Sequence, residues 1–231
     1  PAGPIAVIGI DPGLKTGCKV AVVDSAGAFK ESAVIYPGPP KNEPEQAELT
    51  LNDLLLRYEV RAIAIGNGTG SREVNSFVRG VLQKLGDKGP FSVLVNEAGA
   101  SIYSASKVGR DEFPDLDVTV RGAISIARRL QDPLAELVKI EPRHIGVGQY
   151  QHDVNQRELR DGLNRSVEHC VNTVGVDLNT ASVPLLKYIS GLKRDVAERI
   201  VARRNENGGF TSRAQLAEVE GIGDRTYQQC A

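Results

Sequence analysis

The sequence predicts an α/β domain built on a mixed sheet with flanking helices, followed by a small all-α domain. Three observations carry that expectation. Short β-branched runs separated by turn residues fill residues 5–36, the pattern of an antiparallel meander. Strand-like and helical periodicities then alternate, which implies right-handed crossovers and parallel pairing in the second half of the sheet. From about residue 150 only helical spacing remains, with a repeated unit of helix, tight turn and helix.

The first run, residues 5–10, is closed by Asp11-Pro12-Gly13, the second, 19–23, by Asp24-Ser25-Ala26-Gly27, and the third, 29–36, by a Pro-rich stretch to Pro44. Ala47, Leu51, Leu54, Leu55 and Tyr58 recur at helical spacing, and residues 60–65 form a buried strand. Val74, Phe77, Val78, Val81, Leu82 and Leu85 mark an amphipathic helix before the strand at 91–95. A helix containing residues 121–130 breaks at Asp132-Pro133, because proline pushes the residue before it out of the helical region. These elements make up a first domain, residues 1–150, and residues 151–231 make up the second. The second opens with a long connecting helix, 151–178, and continues with a helix capped by Asn179-Thr180 that runs to about Ile189. Ser190-Gly191-Leu192 turns it into a helix through Val201, Asn207-Gly208-Gly209 breaks that helix, and Thr211 or Ser212 caps another to Val219. Gly221-Ile222-Gly223 then turns into a final helix from Asp224, so residues 186–201 and 216–231 are two copies of one helical hairpin.

The chain has 231 residues, with 28 Lys plus Arg against 29 Asp plus Glu and a net charge of −1. That balance excludes a polyelectrolyte that blankets nucleic acid, while a local cationic contact stays open. The hydrophobic fraction of 41% and charged fraction of 25% are those of a globular protein. No apolar run approaches the ~18 residues of a membrane span, so no membrane partner is expected. Aromatic residues make up 5% and Trp is absent, which excludes a broad base-stacking surface. Cys18, Cys170 and Cys230 stand far apart outside any CxxC spacing, so a reducing, cytoplasmic setting is expected rather than a disulfide framework or zinc site. The lack of any Met reads as a portion excised from a longer protein.

Asp11 leads from the first strand into Gly13-Leu14-Lys15-Thr16-Gly17, whose glycines admit a cation or phosphate close to the backbone. The same residues also suit an ordinary hairpin, and the spacing is not that of a Walker loop. Loops beginning at Gly66-Asn67-Gly68 and Asn96-Glu97-Ala98 open at the same sheet edge, where ligands collect at the carboxyl ends of parallel strands. Asp11, Glu97 and Asp132 are therefore the candidate catalytic and metal-ligating residues, with Mg2+ or Mn2+ as the cation. Converging carboxylates hold the ions that clamp attacking and leaving oxygens in a nuclease. As helix caps or ion-pair partners, Glu97 and Asp132 have a purely structural reading. His144, His152 and His169 share no ligand spacing, and Ser101, Ser104 and Ser106 lack a nucleophile elbow.

The hairpins offer a different chemistry. A Gly-apolar-Gly turn between two helices leaves backbone N–H groups facing outward at a helix start, a phosphate site that needs no base identity. Gly221, Gly223 and Arg225 supply one such turn; Gly191, Lys193 and Arg194 supply the other, with Lys193 in place of the second glycine. Six basic residues against two acidic ones between Lys187 and Arg204 give a local charge of +4. Nucleic-acid phosphates are the partner this favours, against the alternative of solvated helix faces.

Five stretches, Ile8-Gly9-Ile10-Asp11-Pro12-Gly13, Ile65-Gly66-Asn67-Gly68-Thr69, Asn96-Glu97-Ala98-Gly99-Ala100-Ser101, SIARRLQDPLAEL from Ser125 and IGVGQYQHDV from Ile145, together resemble the Tex family of bacterial transcription accessory proteins. The resemblance implies a YqgF-type domain of the ribonuclease H-like superfamily up to about residue 150, then a tandem helix-hairpin-helix domain. It also implies transcription machinery as a partner. Family members carry further N-terminal helical segments and a C-terminal RNA-binding domain. Nuclease relatives, among them the RuvC-like junction resolvases, hold metal carboxylates on the first strand, at the end of the fourth and on a late helix. Asp11 and Asp132 match the first and last of these. Asn67 stands at the second, where a neutral amide binds Mg2+ less well than a carboxylate, and Glu97 substitutes from the fifth strand. Tex-like proteins are not generally regarded as active nucleases. The resemblance thus implies a sequence-nonspecific nucleic-acid binder with a degenerate nuclease-like site; the rival is a metal-dependent nuclease or Holliday-junction-resolvase-like enzyme. An actin-like ATP site would need a second, duplicated domain for which the chain has no room.

Overall fold

The computed structural model describes every residue except Leu14, Asp87, Lys88 and Ala231, so one position of the glycine-rich loop and the last position of the expected second hairpin, 216–231, lie outside the described residues. The chain divides into two compact units, Pro1–Glu136 and Leu137–Ala231. The second unit thus takes in the strand-free stretch 137–150 that periodicity groups with the first domain.

In the first unit, β1 (Val7–Asp11), β2 (Cys18–Val23) and β3 (Phe29–Ile35) form the expected antiparallel meander. β4 (Ala62–Gly66) adds parallel to β1, and β5 (Phe91–Val95) adds parallel to β4, giving the order β3-β2-β1-β4-β5. The crossovers are α1 (Pro44–Arg57) and α2 (Ser71–Leu85). Two short helices, α3 (Ala100–Ala105) and α4 (Lys107–Glu112), lead to α5 (Val118–Gln131) and α6 (Pro133–Leu137).

The period of two along each strand sorts large and small side chains onto opposite faces. Ile8, Ile10, Val20, Val22, Ile63 and Ile65 pack with Leu51 and Leu54 of α1 and with Val74 and Val78 of α2. The other face is shallow. Gly9 lies in register between Ala21 and Ala64, and α5 presents Ala123 and Ala127 to it. A Cβ on Gly9 would sit 2.8 Å from the Ala127 amide nitrogen and 2.9 Å from its Cβ, and would overlap the Ala123 carbonyl oxygen. Helix α5 therefore rests directly on the backbone of β1.

It runs against β1. The start of α5 is at the carboxyl end of the strand, where a Cβ on Gly122 would lie 3.1 Å from Asp11 Oδ2. The helix finishes at the amino end, where Gln131 Nε2 donates to the Ile5 carbonyl at 2.7 Å and Leu130 O accepts from Ala2 N at 2.7 Å.

The second unit contains α7 (Gln156–Val174), α8 (Val183–Leu186), α9 (Arg194–Asn207), a 3-10 turn at Arg213–Glu218 and α10 (Asp224–Cys230). Three expected helices come out shorter or tighter: the connecting helix expected over 151–178 is α7, started by the Asn155 side chain, which accepts from Arg157 N and Glu158 N, and ended at Gly175 with φ 77°. Asn179 caps nothing, because its amide is committed to Phe210, accepting from the backbone nitrogen at 2.7 Å and donating to the carbonyl at 2.9 Å. The helix after it shrinks to α8, entered at Ser182. After Ser212, where Gln215 Oε1 reaches back to the Ser212 and Thr211 nitrogens, the helix is 3-10. Conversely, α9 runs past Val201 to the left-handed Gly208 at φ 73°.

The hairpin repeat is present in three dimensions. Leu186, Ile189 and Leu192 are buried in one copy, and Leu216, Val219 and Ile222 are buried in the other, 30 residues on. The copies pack reciprocally. The turn glycine Gly191 (φ 82°) abuts Gln229, while its counterpart Gly221 (φ 94°) abuts Arg199, the residue equivalent to Gln229. Among the described residues no helix is long and apolar enough to cross a membrane. The seat of α5 yields a direct prediction: Gly9→Ala lowers stability in urea denaturation by more than about 3 kcal/mol, because the clash is with backbone that cannot rotate away.

Candidate functional site

The candidate site lies where β1, β4 and β5 end. Asp11 closes β1 on the same face as Gly9, level with Lys19 of β2. Gly122 leaves its carboxylate room under α5. Glu97 follows β5 by two residues, and its carboxylate folds back onto β4. A Cβ on Gly66 or on Gly68 would overlap the Glu97 carboxylate oxygens. Glycine at both positions is thus a steric requirement of that carboxylate. Asn67, between them, accepts a hydrogen bond from Glu97 N through Oδ1 at 3.1 Å, and its own N–H donates to Val95 O at 3.0 Å. These bonds tie the two loops together.

Burial under a helix and a like charge beside it both raise the cost of ionising a carboxyl. Burial, and then the Glu97 charge, push the Asp11 carboxyl up to about 6, with the Lys19 ammonium opposing. Glu97 Oε2 is buried and has no hydrogen-bond partner among the described residues. Lys19 Nζ donates to the Thr16 and Gly17 carbonyls at 2.5 and 3.0 Å, so the resident cation also shapes the glycine-rich loop. Hydrogen bonds from Thr119 hold the Asp117 carboxyl, at the start of α5, below its ordinary value, and the Lys19 charge adds to this. From farther along α5, the buried Arg129 donates through Nη1 to the carbonyls of Asn96 and Ala98 at 2.7 and 2.9 Å, clamping the loop that carries Glu97. Arg121 does the same for α3 and the end of α4, donating to Ser104 O within α3 at 3.1 Å and to Phe113 O just after α4 at 3.0 Å.

Of the three expected carboxylates, the structure brings Asp11 and Glu97 together and leaves Asp132 out. Asp132 is exposed at the far end of α5, where its Oδ1 accepts from Ala135 N at 3.0 Å and so starts α6. Ten residues separate it from Gly122, an axial distance of about 15 Å. The antiparallel course of α5 is the reason, since the end of the helix that reaches Asp11 is its start. Among the described residues no group of three or more His, Cys, Asp or Glu side chains is arranged to hold a metal ion. The two carboxylates, with one oxygen lacking a partner, fit a single hard cation such as Mg2+ or Mn2+ and not a two-ion pair. Lys19, Asp117 and the three spacer glycines escape a linear reading. Register across β1 and β2 would have identified Lys19, and the capping pattern Asp117-Val118-Thr119 marks the helix start that faces the site.

In the second unit, Lys193 is the exposed cap residue of α9, and Arg194 is exposed with its Nε paired to Glu198 at 2.8 Å. Gly223 and Arg225 are exposed at the second turn, which also carries Glu220 and Asp224. Part of the basic cluster is committed internally. Arg199 donates to Glu220 O at 2.7 Å, Arg203 pairs with Glu218, and Arg204 donates to Ala181 O at 2.7 Å. Lys187, Lys193 and Arg194 are the exposed basic side chains of the first copy.

Comparison with known proteins agrees with this division. Residues 5–131 match the model of the Tex protein YqgF-like domain, and residues 171–231 match a helix-hairpin-helix motif. Protein tex of Bordetella pertussis is 55% identical over 231 residues, covering 100% of this chain and 29% of that protein. Transcriptional accessory protein Tex of Neisseria gonorrhoeae is 51% identical over 231 residues, 100% of this chain and 30% of its own length. The human S1 RNA-binding domain-containing protein 1 is 45% identical over 230 residues, 97% of this chain and 23% of that one. The chain thus spans less than a third of these relatives. A solved structure titled T. thermophilus RuvC in complex with Holliday junction substrate aligns over 53% of this chain and 90% of that one, with TM-score 0.38 and 15% identity.

The raised Asp11 carboxyl has a stability consequence. A carboxyl whose folded pKa lies above its ordinary 3.8 favours the folded state fully below that pH, and the contribution is lost as pH rises through about 6. Asp11→Asn is therefore expected to stabilise the chain at neutral pH by about 1–2 kcal/mol after allowance for partial exposure. Urea midpoints measured across the pH range check this, with the gain shrinking toward acid; a gain independent of pH would contradict it.

Proposed function

Because this chain belongs to the Tex family, we propose that it is a sequence-nonspecific nucleic-acid-binding part of a cytoplasmic, Tex-like transcription accessory protein. Its helix-hairpin-helix turns grip backbone phosphates, and its ribonuclease H-like unit carries a degenerate nuclease site. The observation that carries the reading is the first hairpin. Gly191 in the left-handed region delivers the chain to the start of a 14-residue helix, and Lys193 and Arg194 stand exposed there. Helix N-termini and nearby cations attract phosphate without reading bases. The second turn repeats the backbone but carries Glu220 and Asp224, so Arg225 supplies the cation against a less favourable local field.

The degenerate-site reading draws support from the lack, among the described residues, of a third carboxylate grouped with Asp11 and Glu97 to hold a metal ion. With Asp132 at the other end of α5 and an amide at Asn67, the site has the anionic donors for one cation and not for two. The nuclease reading retains one specific support, the buried Glu97 Oε2, which a bound Mg2+ or Mn2+ on Asp11 and Glu97 would satisfy. Such an ion would supply Lewis-acid stabilisation of phosphate oxygens. The chain's own part is to hold the two carboxylates converged through Gly66, Gly68 and Arg129.

Two experiments follow. In the Lys193→Ala, Arg194→Ala, Arg225→Ala triple variant, fluorescence anisotropy should show binding weakened about tenfold for unrelated sequences alike, with the salt slope reduced by roughly one per lost contact. Unchanged affinity and slope would remove the proposal. Incubation with Mn2+ and single-stranded, duplex or branched substrates should give no cleavage. Cleavage abolished by Asp11→Asn would establish the enzyme instead.

A further inference from the structure

Asn67-Gly68 and Asn207-Gly208 are the two Asn-Gly pairs of the chain. Such pairs are chemically labile, since the glycine nitrogen is unshielded and can reach the preceding side-chain amide carbon. At Asn67 the surroundings supply what that attack needs. The side chain is exposed, on the loop after β4. Its Oδ1 already accepts the Glu97 backbone N–H at 3.1 Å, a donor aimed at the oxygen that gains charge when Cγ is attacked. The Glu97 carboxylate lies against Gly68 itself, its Cδ 2.8 Å from where a glycine Cβ would sit and one oxygen closer still. A base therefore stands beside the attacking residue. Asn207, by contrast, is the last residue of α9, with its backbone held in helical geometry.

We propose that Asn67-Gly68 is a self-modifying pair whose deamidation, promoted by Glu97, places a third acid beside Asp11 and Glu97. The Gly68 nitrogen forms a bond to Asn67 Cγ while its proton passes to the Glu97 carboxylate. The tetrahedral centre then expels the side-chain nitrogen as ammonia, which takes that proton, and leaves a succinimide ring. Water opens the ring to aspartate or isoaspartate, and Glu97 is regenerated. Water is the only co-reactant. The product replaces a neutral amide with a carboxylate and raises the anionic donors of the site from two to three, the number that favours a divalent cation. The chemistry is independent of whether the hairpins bind nucleic acid.

Peptide mass spectrometry of the full chain, incubated in mildly alkaline buffer, tests it. Asn67 should convert at least about tenfold faster than Asn207, and Glu97→Gln, which keeps the backbone donor and removes the base, should slow Asn67 about tenfold while leaving Asn207 unchanged. Conversion of Asn67 no faster than Asn207, or a rate untouched by Glu97→Gln, would overturn the proposal. Asn67→Asp should bind Mn2+ about tenfold more tightly than the parent chain in a titration. Equal affinity would overturn the claim that conversion remakes the site.

Discussion

Everything at the candidate site hangs from the contact between α5 and the bare backbone of β1 at Gly9. The row Ala21, Gly9, Ala64 makes the sheet face shallow, and Ala123 and Ala127 make the helix face equally shallow. The two backbones meet closely enough that no Cβ fits between them. Close packing of this kind fixes position, because a packed interface does not deform continuously. Once α5 is seated, Gly122 stands over Asp11, Arg129 reaches the loop after β5, and Arg121 reaches α3 and the residue after α4.

The site built on this seat works against stability. Two carboxylates converge in a half-buried space, one oxygen has no hydrogen-bond partner among the described residues, and glycines stand where larger residues would add packing. Functional sites commonly hold such unfavourable arrangements, maintained by a frame that over-determines them. Here the frame is visible: Arg129 clamps the Glu97 loop, Asn67 ties it to β4, and Lys19 offsets part of the charge. The second unit follows the opposite economy. Its two hairpins support each other through Gly191 with Gln229 and Gly221 with Arg199, while exposed cations gather at one turn.

Much of this was legible in the chain. The β-branched runs and their turn residues located all five strands, and alternation with helices predicted parallel pairing in the second half of the sheet, while the pairing of β4 with β1 emerged only in the fold. Asp11 and Glu97 were legible as residues at the carboxyl ends of parallel strands, β1 and β5, on either side of β4. Asp132 was misread for a specific reason: the proline break locates the end of a helix but not the direction in which that helix crosses the sheet. Lys19 was hidden because register is a tertiary property. Gly66 and Gly68 looked like turn residues, and their role appears only once the Glu97 carboxylate lies on them. Asn179 was a good capping residue on local grounds, and a tertiary tie to Phe210 overrode it.

Seated on β1, α5 covers Asp11, and Gly66 and Gly68 leave room for the Glu97 carboxylate in the same desolvated space. The most direct test is an NMR titration of the Asp11 side-chain carboxyl carbon in the folded chain. The account predicts a midpoint of about 6, falling in Glu97→Gln but staying above the ordinary 3.8 because burial is the larger cause. A midpoint at the ordinary value in the parent chain would mean that the carboxylates do not share that space, and would contradict the account.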